Sequence, residues 1–142
     1  QNNNEKLSIN DLHSKEFRCY VLKQNIFKNI VIDSNTMKSQ LTYLRRLSAR
    51  AKKLLALNSV EKGDTIGTLY KERFFSFVND FKFQNAFKTF DEFIYELQEK
   101  SKKDTISFSE QYLLQELVNL YFGGEKNGTA FESGRNGSGI LA

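Results

Sequence analysis

What most limits the folds open to this chain is where its helix breakers are missing. The sequence has no proline, and between Asn10 and Tyr121 its only glycines are Gly63 and Gly67. Proline removes an amide donor and glycine adds backbone freedom that a helix must give up. Without them, long stretches can continue as helix, and punctuation falls to capping side chains. The remaining glycines lie at 123, 124, 128, 134, 137 and 139. This pattern predicts one domain over 8–123, a polar tail over 1–7 and a flexible Gly/Asn/Ser-rich tail over 124–142.

Caps and periodicity divide that domain. Asp33, Ser34, Asn35 and Thr36 are four consecutive side chains able to accept a free helix amide, and a helix is expected from there to about Leu57. A loop over 58–64 follows. Asp64 or Thr65 then caps a helix to about Phe81, with Ile66, Leu69, Tyr70, Phe74, Phe77, Val78 and Phe81 at helical spacing. Thr89-Phe90-Asp91-Glu92 matches a capping box and predicts a helix from there to about Lys102. Ser107-Phe108-Ser109-Glu110 predicts another, stopped by Gly123-Gly124. Residues 17–32 read two ways, as helix or as a β-hairpin turning at Lys23-Gln24-Asn25. The expected fold is mainly α, a small bundle of four to five helices, with that hairpin as the alternative.

The core must be aromatic. There is a single cysteine, Cys19, so no intrachain disulfide, and a single histidine, His13, so no paired-histidine metal site. Eight of the thirteen phenylalanines fall between Phe74 and Phe93. Two helices meeting over an aromatic cluster is the leading reading. Phe75, Phe83 and Phe87 fall off the main apolar faces and are the candidates for docking a protein partner.

Charge is the informative asymmetry. The chain carries 21 basic and 17 acidic residues, a net charge of +4. Residues 35–57 hold Lys38, Arg45, Arg46, Arg50, Lys52 and Lys53 with no acid, so this one segment exceeds the total. At 100° per residue the six cations fall in an arc of roughly 160°. Met37, Leu41, Tyr43, Leu44, Leu47, Ala51, Leu54 and Leu55 fill the complementary arc and anchor the helix. Like charges such as Arg46 and Arg50, four residues apart, repel. Either acids from elsewhere (Glu72, Glu92, Glu96 or Glu116) neutralise the stripe, or a polyanion does. Lys and Arg displace counterions from DNA or RNA phosphates, which makes those six residues the candidate nucleic-acid contacts. An acidic protein is the competing partner. A membrane surface is disfavoured, because the apolar face offers neither Trp nor Phe.

No constellation for catalysis, a metal or a cofactor stands out, so the expected role is non-enzymatic binding. Asp80-Phe81-Lys82 has the acid-x-lysine spacing of a metal-dependent nuclease, with Asp64 upstream, but it reads as a helix end rather than a strand. Asp91, Glu92, Glu96 and Glu99 read as a solvated acidic face. Gly134 to Gly139 resembles a phosphate loop without its lysine. The lone Cys19 and the lack of an apolar run of about 18 residues fit a cytoplasmic protein. The chain begins at Gln1 rather than Met, as expected of a processed form or a fragment.

Overall fold

Most helices start where a side chain takes up a free amide. A computed structural model describes residues 7–24, 33–63 and 65–123. The single-turn helix α1, Ile9–Leu12, is closed by a capping box in which Ser8 Oγ accepts the Asp11 amide and Asp11 accepts the Ser8 amide, both at 3.1 Å. Helix α2, Lys15–Lys23, starts at Ser14, whose Oγ accepts the Phe17 amide at 3.0 Å. Helix α3, Ser34–Leu55, starts at Asp33, which accepts the Thr36 amide at 2.9 Å. Two-residue strand β1, Ser59–Val60, precedes α4, Thr65–Asn79, and α5, Phe83–Ser101. Strand β2, Ile106–Ser107, leads into α6, Phe108–Phe122. The strands pair in parallel, Ser59 with Ile106 and Val60 with Ser107.

The fold is mainly α, as the missing helix breakers require. The hairpin alternative fails over its first half, because residues 17–23 lie inside α2. Residues 25–32 lie outside the described residues, as do Asp64, the 1–6 part of the N-terminal tail and the Gly/Asn/Ser-rich segment 124–142. The start at Ser107 holds as a capping box with Glu110, and Gly123 closes α6 at a φ of 79°. Glu110 is fully buried there, accepting the Ser107 amide at 2.8 Å and pairing with Lys100 Nζ at 2.6 Å.

The Thr89 box does not start a helix. Helix α5 begins at Phe83, and the Thr89 hydroxyl donates back to the Asn85 carbonyl at 2.9 Å, as an interior threonine does. The entry to α5 is set by the preceding turn. There the Lys82 amide donates to the Phe77 carbonyl at 2.9 Å and the Phe81 amide to the Val78 carbonyl at 3.0 Å. This is the paired C-terminal motif that usually puts glycine in the left-handed position. Here Phe81 occupies it, at a φ of 60°. A Cβ in that region costs about 1–2 kcal/mol. Phe81→Gly is therefore expected to stabilise the protein by about 1 kcal/mol after the added freedom of glycine in the unfolded chain is subtracted. Urea denaturation checks this, and a stability loss would mean that the ring contact with Phe83, centroids 6.1 Å apart, outweighs the strain.

Helix α6 is the central element, packing against α2, α3, α4 and α5. Its buried residues Leu113, Leu114, Leu117, Val118, Tyr121 and Phe122 line one half of its circumference, while Ser109, Tyr112, Gln115, Glu116 and Leu120 are exposed on the other half. Tyr121 sits at the middle of the aromatic cluster. Its ring stacks on Phe90 at 4.9 Å and 18°, and meets Phe87 edge-on at 5.3 Å and Phe74 edge-on at 6.1 Å. Cys19 is fully buried beside this core, and burial pushes its thiol up to about 12. Among the described residues no helix is long and apolar enough to cross a membrane.

Candidate nucleic-acid interface

Helix α3 carries all six predicted cations, and the structure divides them. Met37, Leu41, Leu44, Leu47, Ser48, Ala51 and Leu54 form its buried face, set against α2, α5 and α6. At the N-terminal end of the stripe the charge is neutralised. Asp11 lies 3.2 Å from Lys38 Nζ and 3.3 Å from Arg45 Nη2, and Glu16 lies 3.6 Å from Arg45 Nε. The acids that do this come from α1 and α2, not from Glu72, Glu92, Glu96 or Glu116. Glu92 is taken up by Arg73 at 3.6 Å.

The Ser8 amide first, then the Lys38 ammonium and the Arg45 guanidinium, hold the Asp11 carboxyl down at about 2. A carboxylate depressed from 3.8 contributes stability that is present in full above that value and lost as pH falls toward 2. The clasp is thus closed throughout the neutral range.

The C-terminal part of the stripe is different. Arg46, Lys52 and Lys53 are exposed and Arg50 is half-buried. None of the four makes an ion pair among the described residues. Lys52 and Lys53 stand in the last turn, where cations complement the free carbonyls of the helix end. Arg50 borders a surface cavity of about 400 Å³ with Tyr70, Asp91, Glu92, Tyr95 and Glu96. Those carboxylates temper its field without pairing with it. On the same edge Tyr43 donates its hydroxyl to Asp91, and burial followed by this bond pushes the phenol up, so Tyr43 stays neutral.

A cation that the segment totals concealed joins this surface. Lys15 of α2 and Lys52 share the rim of a cavity of about 290 Å³ whose apolar lining includes Leu55, Val118 and Phe122. Lys15 lies in a stretch whose charges almost cancel, so only the packing of α2 on α3 reveals it.

No family model, curated protein or solved structure matches this chain.

The remaining sequence candidates fall elsewhere. Phe75 is exposed, Phe83 is half-buried and Phe87 is buried in the core, out of a partner's reach. Lys23 Nζ sits 5.0 Å over the Phe87 ring, and burial lowers its pKa. Asp80, Phe81 and Lys82 form the α4–α5 turn rather than a strand. Among the described residues no three His, Cys, Asp or Glu side chains gather in a way that would hold a metal ion. The Gly134 to Gly139 segment lies outside the described residues.

Proposed function

We propose that this protein is a nucleic-acid-binding helical domain whose α3 contacts phosphates. The observation that carries the reading is the set Arg46, Arg50, Lys52 and Lys53. They face solvent on one helix with no acid in ion-pairing range among the described residues. Uncompensated like charges on a folded surface repel, and a polyanion relieves that repulsion by releasing its own counterions. Arginine adds planar, two-pronged donation to phosphate oxygens. Lys15 extends the surface beyond α3.

Salt titration tests this. Four to five phosphate contacts predict that log K falls with log salt at a slope of about −4. Binding to DNA and RNA oligonucleotides by fluorescence anisotropy measures it. No shift with either at low salt would end the proposal.

The clasp at Asp11 supplies a second test with the opposite sign. Asp11→Asn frees Lys38 and Arg45 for phosphate, so affinity is expected to rise by about threefold to tenfold at about 0.1 M salt. An acid whose only role is to hold α1 in place would leave affinity unchanged.

The second reading is a protein-interaction surface on the Phe-rich region. It rests on Phe75 and Phe81, exposed by 42% and 59% in a region whose other rings are covered. A salt-tolerant complex lost on Phe75→Ala with Phe81→Ala would favour it.

A further inference from the structure

We infer that the nucleic acid which α3 fits is duplex DNA, entered through its major groove. The inference rests on the nucleic-acid reading above and adds the class of strand. It comes from the residues between the cations. Asn35, Ser39, Thr42, Arg46, Ala49 and Lys53 follow one another at three- and four-residue steps along α3, and all six are exposed. They make one straight ridge about 27 Å long. Four of the six are small or short polar side chains, and none is acidic.

Cations flank the ridge on both sides, Lys38, Arg45 and Lys52 on one and Arg50 on the other. A slim ridge with a cation on each shoulder suits a groove about 12 Å wide that admits a helix between two phosphate rows. Arg46 stands mid-ridge, where a guanidinium reaches the O6 and N7 edge of guanine, and Asn35 has the amide that suits adenine. Lys52 on one shoulder and Arg50 on the other then face phosphates, which set position rather than sequence, while Asp11 and Glu16 hold Lys38 and Arg45.

The same surface argues against the other strand types. Single-strand binders stack bases on exposed rings. Among the described residues the exposed rings are Phe75, Phe81, Tyr95, Phe108 and Tyr112, on α4, α5, α6 and the α4–α5 turn. The one aromatic residue of α3, Tyr43, is half-buried with its hydroxyl on Asp91. Duplex RNA offers a deep, narrow major groove that side chains do not enter.

The test uses the full chain with three probes of one sequence: duplex DNA, the single DNA strand and duplex RNA. At equal low salt, duplex DNA is expected to bind about tenfold or more tighter than either alternative. A steric variant provides the second arm. Ala49→Phe leaves charge unchanged and adds a ring to an exposed site, so the fold persists. Its affinity for duplex DNA is expected to fall by about tenfold or more, while affinity for heparin, a polyanion without a groove, stays within about twofold. Single strand or duplex RNA binding as tightly as duplex DNA would overturn the inference and leave the nucleic-acid reading standing. So would an Ala49→Phe variant with intact duplex binding. Silence from all three probes would remove that reading itself, and this inference with it.

Discussion

Replacing Arg46 and Lys53 together with glutamate is expected to weaken duplex binding by about a hundredfold or more at about 0.1 M salt. Each lost phosphate contact forfeits roughly eightfold at that salt through counterion release. The lost Lys53 contact and the lost Arg46 contact with a base edge, worth about 1–3 kcal/mol, account for most of the effect, and two new carboxylates in the groove supply the rest. The protein itself should not suffer. Neither residue makes an ion pair among the described residues, so no described pair is broken. A carboxylate placed four residues before Arg50 converts a repulsion into an attraction, adding about 0.3–0.5 kcal/mol. Thermal unfolding at an unchanged or slightly raised Tm would separate lost binding from lost structure.

Arg45 is unsuited to this experiment, because reversing it would turn Asp11 and Glu16 into repelling neighbours. The control is Lys71→Glu with Lys88→Glu. That pair makes the same change in total charge at exposed positions of α4 and α5. It is expected to cost less than about threefold, the share owed to the overall field. Equal losses in the two variants would mean that net charge alone attracts the polyanion. No loss in the first would mean that the α3 face is not used.

How much of this site is legible in the sequence depends on the range of the interaction. The stripe on α3 is local: a cap at Asp33, apolar residues at helical spacing and six cations on one arc. The structure keeps all three. The acids that neutralise part of the stripe are not local. Nothing in the pattern distinguishes Asp11 from Glu92 or Glu116 as a partner for Arg45, since the choice depends on how α1 and α2 pack against α3. The β1–β2 pairing is hidden for another reason, because two residues per strand are too few to show any period.

Phe87 shows how one local error spreads. With a helix starting at Thr89, Phe87 precedes it and looks available to a partner. With α5 starting at Phe83, positions 83, 86, 87, 90, 93, 94 and 97 form one unbroken apolar face, and Phe87 belongs to the core. The Thr89 box is a genuine capping pattern. It yields because burying that whole face stabilises far more than one cap contributes.

That face also sets the largest expected effect on stability. Phe90→Ala is expected to cost about 4 kcal/mol, within the range of about 3–5 known for fully buried rings. Phe90 has no solvent exposure and lies between Tyr121, stacked at 4.9 Å, Phe87 at 5.9 Å and Phe122 at 6.3 Å. Three large rings from two helices cannot all move into the space left, so most of the cavity would persist. Against a total stability of about 5–15 kcal/mol, that loss removes from about a quarter to most of what holds the fold. Its Tm should drop by on the order of 10–20 °C, measured by far-UV circular dichroism. Phe75→Ala is the comparison, because Phe75 is 42% exposed and should cost under about 1 kcal/mol. If the two variants lost equal stability, the aromatic cluster would not be centred on Tyr121. Binding adds a further constraint. Phe90 precedes Asp91, which receives the Tyr43 hydroxyl and so ties α5 to one edge of α3. Well below its Tm the Phe90→Ala variant should still bind duplex DNA within about threefold, since Arg46, Lys52 and Lys53 reach solvent from α3 itself. A loss of affinity in the folded variant as large as that of the charge reversal would mean that α5 helps to set the binding surface.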